Sequence, residues 1–102
     1  MFYPYRQFNS DGSYLLEDSN AIFVIFEANN AAQALELATA KGLEVKPSIP
    51  GHKGRWYEAY PPTEGITLYG EPAETFGDPT TKVGDTLVRI FLLDGTEKKV
   101  IK

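Results

Sequence analysis

The chain has 102 residues, of which 42% are hydrophobic and 13% aromatic, and its formal net charge is −4. These values predict one folded domain, residues 1–102, with a modest core, and they disfavour nucleic-acid or anionic-membrane binding, which needs a basic surface. The chain has no cysteine, which excludes disulfides, thiolate chemistry and cysteine-based zinc sites.

The N-terminal segment alternates aromatic residues with other types over residues 2–8, which is the pattern of a β-strand. Pro4 favours an edge position for this strand, because proline cannot donate to a sheet ladder. Residues 9–13, NSDGS, predict a turn, and residues 14–16 predict a short partner strand. Since the sequence shows neither a signal peptide nor an apolar run of about 20 residues, we expect a soluble cytoplasmic protein that does not contact membranes.

Residues 21–42 contain the clearest periodicity of the chain. The run AIFVIF at residues 21–26 predicts a strand that is covered on both faces. A helix over residues 30–41 follows, with Asn29 or Asn30 as its N-cap and Gln33 completing a capping box. Gly42 ends the helix. The helical spacing places Gln33, Glu36 and Lys41 in solvent and turns four residues toward the core: Ala31, Ala34, Leu35 and Ala38.

The second half of the chain is rich in turn residues and contains shorter strands. Residues 43–45 predict an extended segment, residues 46–54 a loop and residues 55–60 a strand. Residues 61–85 predict a long irregular loop with a short strand at 66–69, and loops of this length tend to be functional or mobile. Residues 86–93 and 96–101 predict a hairpin joined by the two-residue turn Asp94-Gly95. This order predicts an α+β domain, in which a mostly antiparallel sheet carries a single α-helix packed on one face.

Three lysines, Lys98, Lys99 and Lys102, give the last strand a basic end. Lysines on an edge strand commonly protect it against pairing with other strands. The alternative is that this hairpin edge supports a homodimer. Three lysines in an acidic chain are a weak basis for nucleic-acid binding.

No constellation of residues identifies a catalytic or metal site. His52 is the only histidine, and a metal there would have only carboxylates as further ligands. The irregular segment contains several carboxylates, but sequence spacing in a loop does not hold two carboxyl groups at a fixed separation, as acid–base catalysis requires. The sequence lacks a nucleophile elbow, a phosphate loop and a dinucleotide fingerprint. We therefore expect a non-enzymatic protein without cofactor or metal.

Cationic and aromatic residues are concentrated in residues 52–60. This mixture is typical of protein hot spots and of nucleotide pockets that combine stacking with phosphate contacts. A plainer interpretation places Trp56 in the core, with Arg55 and Tyr57 on the opposite face of the strand. The candidate binding residues are His52, Lys53, Arg55, Trp56, Tyr57 and, from the irregular loop, Tyr69.

Several short motifs follow one another along the chain: NSDGS at residues 9–13, EANNA at 27–31, GRWY at 54–57, YGEP at 69–72 and LDG at 93–95. In this order they resemble small uncharacterised proteins encoded by tailed bacteriophages. Those relatives often carry cysteines just before the GRW segment, in a pattern like a metal knuckle, whereas residues 47–53 contain none here. The resemblance implies a phage origin and the cytoplasm of the bacterial host, and it carries no activity.

Two functions of different classes fit these observations. The first is a non-enzymatic phage accessory protein that binds a host protein, such as a defence or replication factor, and inhibits or redirects it. The alternative is a small-molecule binder that sequesters a nucleotide or signalling nucleotide, with the cationic candidates on phosphate and the aromatic ones stacked on the base. A further alternative is a virion or assembly component.

Overall fold

The computed structural model describes residues 1–7, 21–43, 45, 56–59 and 61–102. In these ranges it contains a five-stranded sheet, one α-helix, a small two-stranded hairpin and a short 3-10 helix. In chain order the elements are β1 (Phe2–Gln7), β2 (Phe23–Glu27), α1 (Ala31–Ala40), β3 (Trp56–Glu58), β4 (Thr67–Leu68), β5 (Glu71–Pro72), the 3-10 helix (Ala73–Thr75), β6 (Thr86–Phe91) and β7 (Glu97–Ile101). The turn predicted at residues 9–13 and the strand predicted at 14–16 lie outside the described residues.

The sheet has the strand order β3-β1-β2-β6-β7. All neighbouring strands are antiparallel except β2 and β6, which run parallel. Helix α1 follows β2 and packs on one face, here called the helix face; the other is called the second face. The prediction of an α+β domain with a mostly antiparallel sheet and a single helix is confirmed for the described residues.

Strand β2 lies at the centre of the sheet and is buried on both faces, as its unbroken apolar run predicts. Val24 and Phe26 belong to the hydrophobic cluster on the helix face. Phe23 and Ile25 belong to the cluster on the second face. All four side chains are at most 1% exposed, so this strand joins two core layers.

Both ends of α1 are formed by the residues that the sequence indicates. The side chain of Asn30 accepts a hydrogen bond from Gln33 N at 2.8 Å, and Gln33 Oε1 accepts one from Asn29 N at 2.6 Å. At the other end Gly42 has a φ of +85°, and the amide of Leu43 donates to the carbonyl of Ala38. These bonds satisfy backbone groups that a helix end would otherwise leave without partners.

The buried side of α1 differs from the prediction. Ala34 and Ala38 are buried, but Ala31 is exposed and Leu35 is 44% exposed, while Leu37 packs against the core. Ala34 and Ala38 would face the sheet whether the helix turned Leu35 or Leu37 toward the core. Lys41, the C-cap of α1, is exposed as predicted, and its ammonium lies 4.8 Å from the ring centroid of Phe91.

The second face of the sheet is covered by part of residues 61–85, the stretch predicted to be a long irregular loop. Leu68 of β4 and Ala73 of the 3-10 helix are 3% and 1% exposed. Ile66 and Phe76 are partly buried against the same cluster. Much of this stretch is therefore a packed layer, with a short strand at Thr67–Leu68, inside the range predicted at 66–69.

Pro4 does not lie in an edge strand, because β1 has β3 on one side and β2 on the other. The carbonyl of Pro4 accepts a hydrogen bond from Ala59 N at 3.0 Å. Proline has no backbone N–H, and at Pro4 that N–H would point toward the β3 side of the strand. On that side β3 has already ended at Glu58. Proline is tolerated here because the ladder stops beside it.

The β6–β7 hairpin is present as predicted, but its turn is longer. Leu92 N donates to Thr96 O at 2.9 Å, and Gly95 N donates to Leu92 O at 3.0 Å. These bonds enclose a three-residue loop, residues 93–95, with Gly95 at a φ of +90°. This is the geometry of a turn followed by a bulge at glycine. Within the described residues, no helix is long and apolar enough to cross a membrane.

Candidate functional site

The structure separates the predicted binding residues that it describes. Trp56 is 4% exposed and packs on the helix face with Tyr5 and Phe26. This is the plainer of the two interpretations of its sequence. Tyr57 is half-buried and points to the second face, since it pairs with Arg6 while Trp56 pairs with Gln7. His52, Lys53 and Arg55 lie outside the described residues.

Tyr69 occupies the most unusual backbone position among these candidates. It forms, with Gly70, the two-residue turn between β4 and β5, and their φ angles are 57° and 77°. Such turns favour Asn-Gly or Gly-Gly, because a side chain with a bulky ring is disfavoured at positive φ. Tyr69 is nevertheless 58% exposed, so the core does not explain why a tyrosine stands there.

Two phenylalanines support the ring of Tyr69. Its ring is nearly parallel to that of Phe76, with centroids 6.4 Å apart, and it meets Phe23 edge to face at 6.1 Å. Phe23 and Phe76 contact each other at 5.2 Å. The three rings run from the fully buried Phe23 through the partly buried Phe76 to the exposed Tyr69, so the sheet fixes the position of the outermost ring.

Arg6 extends this aromatic group along the sheet. It pairs with Phe23 of β2 on one side and with Tyr57 of β3 on the other. Paired residues on antiparallel strands share a face, and the Arg6 guanidinium lies 5.8 Å from the Phe23 ring centroid. We call the group made by Arg6, Phe23, Tyr57, Tyr69 and Phe76 the Tyr69 surface.

Charged groups are fixed close to this surface. The carboxylate of Asp78 accepts hydrogen bonds from the side chain and the backbone of Thr80, which hold its pKa below the ordinary value, and Lys102 and Arg6 act in the same direction through their charges. The Lys102 ammonium donates to the carbonyls of Asp78 and Thr81 at 3.0 and 2.7 Å. Asp78 and Lys102 therefore place charges of both signs in fixed positions.

Sequence reasoning found Tyr57 and Tyr69 but missed Arg6, Phe23 and Phe76. Strand alternation places Arg6 and Phe23 on a face of their own strands, but their adjacency depends on the register between β1 and β2. The position of Phe76 depends on how the irregular layer folds back on the sheet. No local pattern encodes either fact.

The Tyr69 surface offers aromatic area and a cation, not a reactive group. In the part of the chain that the structure describes, no three His, Asp or Glu side chains are grouped so that they could hold a metal ion. Tyrosine and arginine are the residue types that dominate binding energy at protein interfaces, and an arginine beside an aromatic ring adds a cation–π contact.

Two cavities lie away from the Tyr69 surface. One of about 360 Å³ lies between the layer on the second face and the β6–β7 edge, and its lining includes Ile66, Ala73, Ile90, Lys98 and Val100. The other, of about 470 Å³, lies beside the start of α1, the start of β1 and the end of β3.

Comparison with known proteins gave no match to a family model, to a curated protein or to a solved structure.

Proposed function

We propose that this chain is a non-enzymatic accessory protein of tailed bacteriophages that acts in the host cytoplasm, where it binds a host protein through the Tyr69 surface and inhibits or redirects it. The phage setting rests on the ordered motifs of the sequence. The binding function rests on the structure around Tyr69. Defence and replication factors of the host are the partners that fit this setting.

One observation carries the proposal: a tyrosine with a φ of 57° is held largely in solvent at the tip of a hairpin. A non-glycine residue in this region costs about 1 kcal/mol or more, and asparagine or glycine would suit the turn better. Strained positions of this kind concentrate at functional sites. An exposed aromatic ring that is held rigidly loses little conformational entropy when a partner covers it.

The test is site-specific photo-crosslinking in bacterial lysate. A photoreactive phenylalanine derivative replaces Tyr69 in one sample and Leu35 in the other. Leu35 is a matched control, because it is also an exposed hydrophobic residue, at 44%, and it lies on α1 across the sheet. We expect a discrete adduct with one host protein from position 69 and none from position 35. Equal adducts from both positions, or none from position 69, would contradict the proposal.

The nucleotide alternative is separated from this proposal by thermal shift. A ligand that binds the folded state raises the melting temperature. A set of mononucleotides and cyclic dinucleotides at saturating concentration is expected to leave the melting temperature unchanged. A nucleotide that raised it, and lost this effect in Tyr69→Ala, would replace protein binding as the function of the surface.

A further inference from the structure

The cavity of about 470 Å³ arises from the interruption of the β1–β3 ladder. Ala59 N still bonds to Pro4 O, and the next contact joins Phe2 to Thr63 through hydrogen bonds of 2.8 and 3.1 Å. From the first contact to the second, the chain of β1 moves by two positions, from Pro4 to Phe2, whereas the other chain moves by four, from Ala59 to Thr63, and includes Pro61 and Pro62. The cavity lies at this interruption of the ladder.

The walls of this gap are mostly apolar. Tyr3 contributes a half-buried aromatic ring, and Ala31, the first residue of α1, adds only a methyl group. Pro4, Ala59, Pro61 and Pro62 complete the apolar lining. Among the described residues that line it, the one charged residue is Glu58, which is exposed. We call this gap the Glu58 cavity.

No cation of the described residues forms a salt bridge with the Glu58 carboxylate. Among the described residues the salt bridge of the chain joins Arg89 and Glu97, and no described cation lies within ion-pair distance of Glu58. An apolar gap with one uncompensated carboxylate is complementary to a group with an apolar stem and a positive end.

A second observation lies behind the cavity wall. Tyr5 pairs with Glu58 across the β1–β3 ladder and is completely buried. Its hydroxyl has no hydrogen-bond partner in the described structure. Burial first, and then the nearby Glu58 and Tyr3, raise the pKa of Tyr5 to about 12. Glu58 therefore lies close enough to Tyr5 to disfavour the ionised form of its hydroxyl.

We propose that the Glu58 cavity binds an arginine side chain of a partner protein. The methylene stem lies against the Pro61 and Pro62 rings, the guanidinium stacks on Tyr3, and the Glu58 carboxylate accepts its hydrogen bonds. A metal ion does not fit, because a single carboxylate in an apolar lining supplies too few oxygen ligands. The site lies on the helix face and does not depend on the Tyr69 surface.

The probe is N-acetyl-arginine methylamide, titrated at millimolar concentration into the ¹⁵N-labelled protein and followed by NMR. Its control is N-acetyl-citrulline methylamide, which has the same shape without the charge. We expect saturable shifts of the amides of Tyr3, Ala31, Glu58 and Ala59 with the arginine compound alone. Equal shifts with citrulline, or shifts confined to other parts of the protein, would overturn the site.

Two variants test the roles of charge and of space. Glu58→Gln is expected to weaken binding about tenfold, the effect of one charge-assisted contact. Its matched control, Glu71→Gln, removes an exposed carboxylate of β5 that does not line the cavity and is expected to change affinity less than twofold. Equal losses in both variants would mean attraction by net charge and would contradict the site.

Ala31→Leu fills the cavity from an exposed helix position. It is expected to abolish the arginine-dependent shifts while the melting temperature stays near that of the wild type. Because this residue is not part of the core, loss of binding in a folded protein identifies the space itself as necessary. Unchanged binding in this variant would contradict the proposed position of the side chain.

Discussion

At the residue scale, the Tyr5 hydroxyl is a buried polar group that has no hydrogen-bond partner among the described residues. Tyr5 is 0% exposed and meets Phe26 edge to face at 5.9 Å, so its ring is well packed. The hydroxyl has no partner in the described chain. A buried donor without a hydrogen bond costs about 1 to 3 kcal/mol, whereas removing it costs little.

We therefore predict that Tyr5→Phe does not destabilise the protein at neutral pH and raises the free energy of unfolding by up to about 1 kcal/mol. Urea denaturation of both proteins measures this difference. Tyr3→Phe serves as control, because the Tyr3 ring is only partly buried, and it is expected to change stability by less than about 0.5 kcal/mol. A loss of 2 kcal/mol or more in Tyr5→Phe would show that the hydroxyl has a stabilising partner.

Ionisation of the Tyr5 hydroxyl is expected to make the free energy of unfolding depend on pH. The folded pKa of Tyr5 is about 12, against an ordinary value of 10.0, so the unfolded chain loses this proton first. Stability is therefore unaffected below about pH 10 and falls as the pH rises from 10 toward 12, by about 2 to 3 kcal/mol in total. Tyr5→Phe lacks this loss. Parallel alkaline profiles of the two proteins would contradict the assignment.

At the element scale, the β6–β7 hairpin depends on one glycine. Gly95 has a φ of +90°, with nothing within 4 Å of an added Cβ, so the cost of a side chain there is conformational and not steric. We predict that Gly95→Ala lowers the free energy of unfolding by about 1 kcal/mol. Gly77→Ala, also in open space but without a positive φ, is expected to be neutral or slightly stabilising. Denaturant midpoints measure both effects. If Gly95→Ala and Gly77→Ala had the same midpoint, this explanation would be contradicted.

The elements that the sequence predicts well are those governed by local chemistry. Asn30, Gln33 and Gly42 set the ends of α1 through contacts within a few residues, so their types alone identify the helix. The orientation of the helix was predicted less well, because Leu35 and Leu37 both belong to plausible apolar stripes. Packing of Leu37 on the core and of Lys41 on Phe91 decides between them, and these contacts join residues far apart in the sequence.

At the scale of the whole molecule, the alternation of elements predicts the fold class correctly but does not predict which residues form the Tyr69 surface. Composition predicts an interaction segment around Trp56, whereas strand alternation predicts that Trp56 lies in the core with Tyr57 on the opposite face of the strand. The sheet divides that segment between two faces: Trp56 enters the core, and Tyr57 faces the layer that carries Tyr69. Adjacency across strands depends on register and on the path of residues 61–85, which sequence patterns do not specify.

The part of residues 61–85 that packs on the second face is expected to unfold together with the sheet. Leu68 is buried against β2 and β6 residues although it belongs to a stretch with little regular structure. We predict that Leu68→Ala lowers the free energy of unfolding of the whole protein by about 3 kcal/mol in a single transition, as removal of a core side chain does. Val83→Ala, in the same stretch but 90% exposed, is expected to change it by less than about 0.5 kcal/mol. A separate early transition in Leu68→Ala would mean that the layer is independent of the sheet.

The most direct test of the Tyr69 surface measures stability and partner capture on one variant, Tyr69→Asn. Asparagine suits the positive φ of the turn, which offsets the lost contacts with Phe23 and Phe76, so the free energy of unfolding should stay within about 1 kcal/mol of the wild type. Capture of the host protein that crosslinks to position 69 should be lost, while Leu35→Ala keeps it. Capture that persists in Tyr69→Asn, or a variant destabilised by 3 kcal/mol or more, would contradict the account, because Tyr69 would then serve the fold and not binding.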